Sequence, residues 1–177
     1  MKVSIDCGHA KNTPGKRWKH SNFTFFEYEF NRKVGRKLKE LLTSKGIVAD
    51  FTCNLDDEKD MRLSERASKS KGYDLLVSIH ANASENTSAN GYEVFVGTNA
   101  SKNSHKLADL WVENMKSTGL KNRGKKVANF TVIQKSPVPA ILIECGFFTN
   151  EKEAIWMNEN IDLLAEILTT TIIDYKR

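Results

Sequence analysis

A chain of 177 residues with 40% hydrophobic and 28% charged residues has the size and balance of one folded domain with a continuous core, which excludes disordered, fibrous and disulfide-scaffold classes. No apolar run approaches the roughly 18 residues of a helical membrane span. The 27 Lys and Arg against 22 Asp and Glu give a net charge of +5, which favours an anionic partner: nucleic acid, an acidic membrane or an anionic wall polymer each satisfies the sign alone.

Val3, Ile5 and Cys7 alternate with Ser4 and Asp6 before Gly8 and His9, the pattern of a first strand ending at a loop. A charge, Asp6, interrupts the apolar run after only a few residues and a strand pattern begins at once, which argues against a secretory leader, so synthesis in the cytoplasm is expected. Turn formers cluster over residues 11–15, and residues 16–26 lack a clean period, so they read as a long loop over the sheet edge beside His9. Phe30, Val34, Leu38, Leu41 and Leu42 recur at three- and four-residue steps, predicting an amphipathic helix over residues 27–45 that ends near Gly46. A strand over residues 47–53, a turn, and a short helix over residues 61–70 follow.

Residues 74–83 read DLLVSIHANA, an apolar, strand-forming run that stops at a histidine followed by small and polar residues. Such a run fits a strand buried on both faces of a parallel sheet, and open α/β sheets bind ligands beyond the carboxyl ends of their strands. His80 therefore stands where chemistry usually sits. Further strands are predicted over residues 92–96, 130–133 and 140–147, with helices over residues 101–118, 151–158 and 161–175. Strands alternate with helices throughout. The expected fold is α/β: a single domain spanning residues 1–177, with a mostly parallel twisted sheet of about six strands and helices on both faces. Cys7, Cys53 and Cys145 are odd in number, fall in or beside strand-like runs, and read as small core residues without disulfides.

His9, His80 and Glu144 stand near the ends of three strands, where a parallel sheet lets their side chains converge. Glu27 opens the first helix, where the helix dipole favours a carboxylate. Two imidazoles and a carboxylate are the ligand set of many catalytic zinc sites, which leave a fourth position for water. Each residue also has a plain reading. Glu27 could be an ordinary first-turn carboxylate, with Glu29 as its rival for a ligand role, and a Cys7–His9 dyad is conceivable. A charge at Glu144 within an apolar run is costly to bury unpaired. His20 and His105 read as solvated.

The ordered set of Asp6-Cys7-Gly8-His9, Glu27 with Asn31, Leu63-Ser64-Glu65-Arg66-Ala67, Ser78-Ile79-His80-Ala81-Asn82-Ala83, Asn122-Arg123-Gly124 and the run from Pro139 to Asn150 resembles the zinc-dependent N-acetylmuramoyl-L-alanine amidases of the amidase-3 type over essentially the whole chain. The resemblance implies one catalytic Zn2+ held by His9, Glu27 and His80, with Glu144 as the catalytic carboxylate. Asn82 is a candidate substrate contact. It also implies peptidoglycan as partner and substrate, with no nucleic acid and no membrane insertion expected. Since no leader or wall-targeting repeat is visible, action on the wall after release through a pore or by cell lysis, as a phage lysin or an autolysin, is expected. One departure stands out: Ala10-Lys11-Asn12 replaces a common glycine-rich turn after the first histidine. The basic, aromatic stretch from Lys16, with Trp18 and Phe23, is a candidate contact for glycan or anionic wall polymers. A zinc peptidase cutting another wall bond, and a wall-binding module with a structural metal, remain as alternatives.

Overall fold

In a computed structural model that describes residues 1–177, the chain runs β1 (Lys2–Cys7), β2 (Arg17–Lys19), β3 (Thr24–Phe26), α1 (Glu27–Ser44), β4 (Val48–Phe51), α2 (Leu63–Lys69), β5 (Leu75–Asn82), β6 (Tyr92–Val96), α3 (Lys102–Met115), β7 (Asn122–Val127), α4 (Thr131–Gln134), β8 (Ala140–Phe147), α5 (Glu151–Glu159) and α6 (Ile161–Lys176). Six strands form one sheet in the order β4-β1-β5-β8-β6-β7, and β2 and β3 form a separate hairpin. The pairings among β4, β1, β5 and β8 are parallel, whereas β6 runs antiparallel to β8 and parallel to β7. This is the α/β architecture expected, with helices on both faces.

The side-chain period of two divides the central strands into two unequal faces. Ile5, Val77, Ile79, Ile141 and Ile143 point into the larger core, covered by α1, α3, α5 and α6. The amphipathic stripe of α1 supplies Phe30, Val34, Leu38 and Leu42, all buried. On the opposite face Leu76, Ala140 and Leu142 meet Val132 and Ile133 of α4 in a smaller cluster. Along that face of β5 the residues turn polar toward the carboxyl end, from Leu76 through Ser78 to His80 and Asn82. The thinner cover over this face leaves the chemistry-bearing ends accessible.

Two expectations are corrected. Residues 130–133 do not form a strand: Thr131–Gln134 is a single helical turn, and the edge strand lies earlier, at Asn122–Val127. A four-residue apolar run cannot be told from a short helix by period, and β7 is polar because it is an edge strand paired only to β6. Residues 16–26 are not wholly loop, since Trp18 pairs with Phe25 and Lys19 with Thr24 in the hairpin. Phe25 is buried and stacks on Phe148 at 5.6 Å with the rings nearly parallel. Cys7 and Cys145 are buried and Cys53 half-buried, all three free, as core residues rather than a disulfide framework.

Candidate active site

The loop after β1 is shaped by contact with β5. A side chain at Gly8 would run into the His80 ring, so the position admits only glycine, and Asn31 Nδ2 donates to the Gly8 carbonyl at 2.9 Å. His9 follows with φ of 64°, a left-handed conformation that costs a non-glycine residue on the order of 1–3 kcal/mol and persists where the surroundings impose it. This turn swings the His9 ring back over the strand ends, edge-on to His80 with centroids 5.0 Å apart.

Glu27 is the first residue of α1, and its N–H donates to the Lys16 carbonyl across the base of the hairpin. Its carboxylate is buried. Oε1 lies 3.4 Å from His9 Nε2 and 3.2 Å from His80 Nδ1, and it accepts from the Ala81 N–H at 3.3 Å. One donor atom from each of His9, Glu27 and His80 lies within 4.8 Å of the others. Glu27 Oε2 is buried without a hydrogen bond. Lys16 Nζ stands 3.7 Å from it, so this lysine of the basic stretch turns into the site instead of outward.

Glu144 is opposite His80 in the β5–β8 register, and both side chains face α2 and α4. Its Oε2 is also buried without a partner. Burial pushes the Glu144 carboxyl up to about 8, with His80 partly opposing and Glu27 adding to the rise. Burial also depresses His9 to about 4 despite the nearby Glu27 carboxylate. The imidazole is therefore neutral at physiological pH, the form a metal binds. Burial would raise Glu27, but the hydrogen bond and charge of His80 hold it below its ordinary value. Glu27 Oε2 and Glu144 Oε2 are thus buried oxygens without hydrogen bonds, and with the neutral His9 imidazole this donor set fits a divalent cation.

Behind His80 lies a polar chain. Ser78 Oγ is 3.1 Å from His80 Nε2 and donates to Asp6 Oδ2 at 2.6 Å. Asp6 Oδ1 accepts from Thr52 Oγ1 at 2.6 Å and Arg66 Nη1 at 2.9 Å. Arg66, buried under α2, also donates to the Cys7 carbonyl at 2.7 Å and to Asp60 Oδ1 at 2.7 Å. Asp60 in turn accepts from Thr13 in a short hydrogen bond and lies 3.8 Å from His9 Nδ1. The roles of Asp6, Ser78 and Arg66 escape a reading of periodicity. The one signal was an arginine on the inner side of a short helix.

His9 and His80 open onto a cleft of about 390 Å3 whose walls include Lys16, Leu63, Asn82, Phe130 and Glu144, a volume in the range of small-ligand sites. Asn82 is thus in the cleft, with its amide donating to Glu93 Oε1 at 2.8 Å. Glu29 is not brought into the cluster; it accepts from the Tyr28 hydroxyl instead. Cys7 forms no dyad with His9, because its thiol packs against Gly35 of α1 and burial raises it well above the usual thiol range. His20 is not solvated: it is buried, stacked on Phe23, with Nε2 2.9 Å from the Phe148 carbonyl, pinning the hairpin to the end of β8. His105 is half-exposed in the first turn of α3.

A mostly parallel α/β sheet carrying two imidazoles, a ligand-type carboxylate and a second buried carboxyl at its carboxyl edge has the donor set of a metal-assisted hydrolase. The chain belongs to the N-acetylmuramoyl-L-alanine amidase family of the amidase-3 type, hydrolases whose family model matches residues 3–174. It is 29% identical over 99% of its length to N-acetylmuramoyl-L-alanine amidase LytC of Bacillus subtilis, and 27% identical over 97% to the probable cell wall amidase LytH of Staphylococcus aureus. It spans 35% and 56% of those two proteins. Among solved structures, it matches an N-acetylmuramoyl-L-alanine amidase of Clostridium difficile 630 with a TM-score of 0.89 at 32% identity, covering 98% of this chain and 95% of that one. It also matches the catalytic domain of CwlV from Paenibacillus polymyxa with a TM-score of 0.85 at 27% identity, covering 98% and 97%.

Proposed function

We propose that this domain hydrolyses the amide between the lactyl group of N-acetylmuramic acid and L-alanine in peptidoglycan, and that it thereby lyses bacterial walls. His9 Nε2, His80 Nδ1 and the Glu27 carboxylate would hold one Zn2+. Zinc there supplies a Lewis acid that polarises the amide carbonyl and acidifies water. The observation that carries the reading is Glu144: a carboxyl with one buried, unpartnered oxygen, in register with His80, on the wall of the cleft.

In this scheme Glu144 takes the proton of the attacking water and passes it to the departing alanine nitrogen, as base and then acid. A carboxyl raised by burial is suited to that double task, because it holds a proton readily after the first transfer. The left-handed turn at His9 and the relay behind His80 hold both imidazoles in place before substrate arrives, so little reorganisation is left for the reaction itself. Leu63 and Phe130 add apolar side chains to the walls of the cleft.

The test is mass analysis of fragments released from purified walls. Amidase action frees L-alanine amino groups and creates no carboxyl end on the peptide, whereas a peptidase creates one. A binding module with a structural metal releases nothing and leaves wall turbidity unchanged. Activity that survives complete chelation would reject the metal assignment.

A further inference from the structure

Glu93 is a charged residue in the interior of β6, only 4% exposed, directly opposite Glu144 in the antiparallel β6–β8 register. Its Oε1 accepts from Asn82 Nδ2. Its Oε2 accepts from both Arg123 Nε at 2.8 Å and Lys126 Nζ at 2.5 Å. Burial alone would raise this carboxyl, but the two cations of β7 hold it below its ordinary value, so it stays ionised and grips both.

One carboxylate oxygen does not exhaust two cationic groups. Arg123 spends Nε on Glu93 and Nη1 on a long 3.4 Å contact to the Asn90 carbonyl, and its Nη2 makes no hydrogen bond within the chain. Lys126 spends one of its three ammonium hydrogens. Glu153 is the other carboxylate near Arg123, but its oxygens are taken by the Gly91 and Phe147 N–H groups. The guanidinium lies over the Phe147 ring at 4.9 Å. Both side chains are fixed along their stems, yet 29% and 39% exposed at their heads. Long cations ordered in advance bind an anion without the usual entropic loss.

Their place in the sheet gives the ligand's position. Because β6 is reversed, Glu93 and Arg123 come to the same edge as His80 and Glu144, and Asn82 touches both the cleft and Glu93. Strands step by about 4.8 Å and an extended peptide by about 3.4 Å per residue. The cations on β7, reaching back to β6, thus stand one or two peptide residues from an amide cut beside Glu144. On the acyl side of that amide lies an N-acetylated sugar, whose carboxyl is used up in the bond. Carboxylates belong to the peptide side.

We propose that Arg123 and Lys126, braced by Glu93, form a subsite for a carboxylate on the peptide side of the scissile amide, which fixes the direction in which the substrate lies across the sheet edge. This rests on the amidase reading above.

The experiment compares hydrolysis of muramoyl-L-alanyl-D-glutamate with that of its counterpart in which both glutamate carboxyls are carboxamides, so that the peptide side carries no carboxylate. The zinc-loaded wild type should show a KM at least about tenfold lower for the carboxylate, from charge-assisted hydrogen bonds. Arg123→Gln should erase that preference through KM with kcat unchanged, and Arg123→Lys should restore part of it. Equal KM values for the two substrates in the wild type would overturn the subsite. In parallel, L-alanyl-D-glutamate and its diamide are titrated into the wild type and Arg123→Gln by NMR. Tighter binding of the carboxylate by the wild type alone supports the subsite, and equal binding of both overturns it. Displacement of the dipeptide by oligomeric glycerol phosphate at matched ionic strength, far beyond that by free glutamate, would overturn the carboxylate assignment in favour of a wall polyanion. If neither muramoyl peptide is cut, the amidase reading fails, while the dipeptide titration still decides the subsite.

Discussion

Ser78 and His80 share one face of β5, with Ser78 Oγ 3.1 Å from His80 Nε2. The serine hydroxyl has a single proton, and that proton is given to Asp6 Oδ2. Ser78 can therefore only accept from Nε2–H, which makes Nδ1 the ring nitrogen that faces Glu27 Oε1, at 3.2 Å. Partners of this type are worth roughly 10–100-fold in metal affinity. Ser78→Ala is expected to weaken zinc binding by that factor, read by competition against a chromophoric chelator, whether or not the variant retains activity.

The proposed ligands and the proposed proton carrier should separate under mutation. His80→Ala is expected to lose both bound zinc and activity, and Glu144→Ala to keep zinc while activity falls by at least about a hundredfold. Metal content by emission spectrometry beside a wall-turbidity assay distinguishes them. A zinc-free Glu144→Ala protein would make this residue a ligand instead.

Glu144 gives a pH signature in the chelated protein. Its folded value of about 8 lies above the ordinary 4.5. A raised carboxyl contributes stability that is complete below its ordinary value and is lost as pH rises through the folded value. Chelated wild type should therefore lose melting temperature between about pH 5 and pH 9, and Glu144→Gln, which cannot ionise, should lose less over the same interval. Parallel thermal scans without metal would show the two curves diverging with rising pH. Curves that stay parallel would contradict the burial of an ionisable group there.

The Asp6–Arg66 pair carries a stability prediction of opposite sign. Burial would raise Asp6, but Arg66, Ser78 and Thr52 hold it below its ordinary value. A depressed carboxyl contributes stability above the ordinary range that is lost as pH falls through the folded value. Arg66→Ala removes the cation and leaves the carboxylate buried, an expected loss of about 3–5 kcal/mol in urea unfolding at neutral pH. Its acid unfolding should also begin at a higher pH than that of the wild type.

Much of the framework was legible because β5 and β8 are continuous apolar runs and α1 has an unbroken stripe from Phe30 to Leu42. His9, His80 and Glu144 stood out as polar residues at the ends of such runs. The convergence of Glu27 with them depends on the hairpin, which has no hairpin-type dipeptide at its turn and is held by aromatic packing between Phe25 and Phe148, a contact between segments distant in sequence. Asp6 and Ser78 were illegible for another reason. Polar residues alternating with apolar ones imply a wet face, whereas α2 covers this one and Arg66 meets the buried carboxylate. Strand β7 hid in a run of Arg, Gly and Lys because an edge strand needs backbone pairing more than apolar side chains.

The hairpin leads without a spacer into Glu27, while His20 fastens its tip to Phe148. With Glu27 as a proposed metal ligand, ion occupancy and hairpin docking become two ends of one thermodynamic cycle. Whatever tightens one must tighten the other by the same factor. A protease that nicks the tip should thus report the loading state of a centre it never touches.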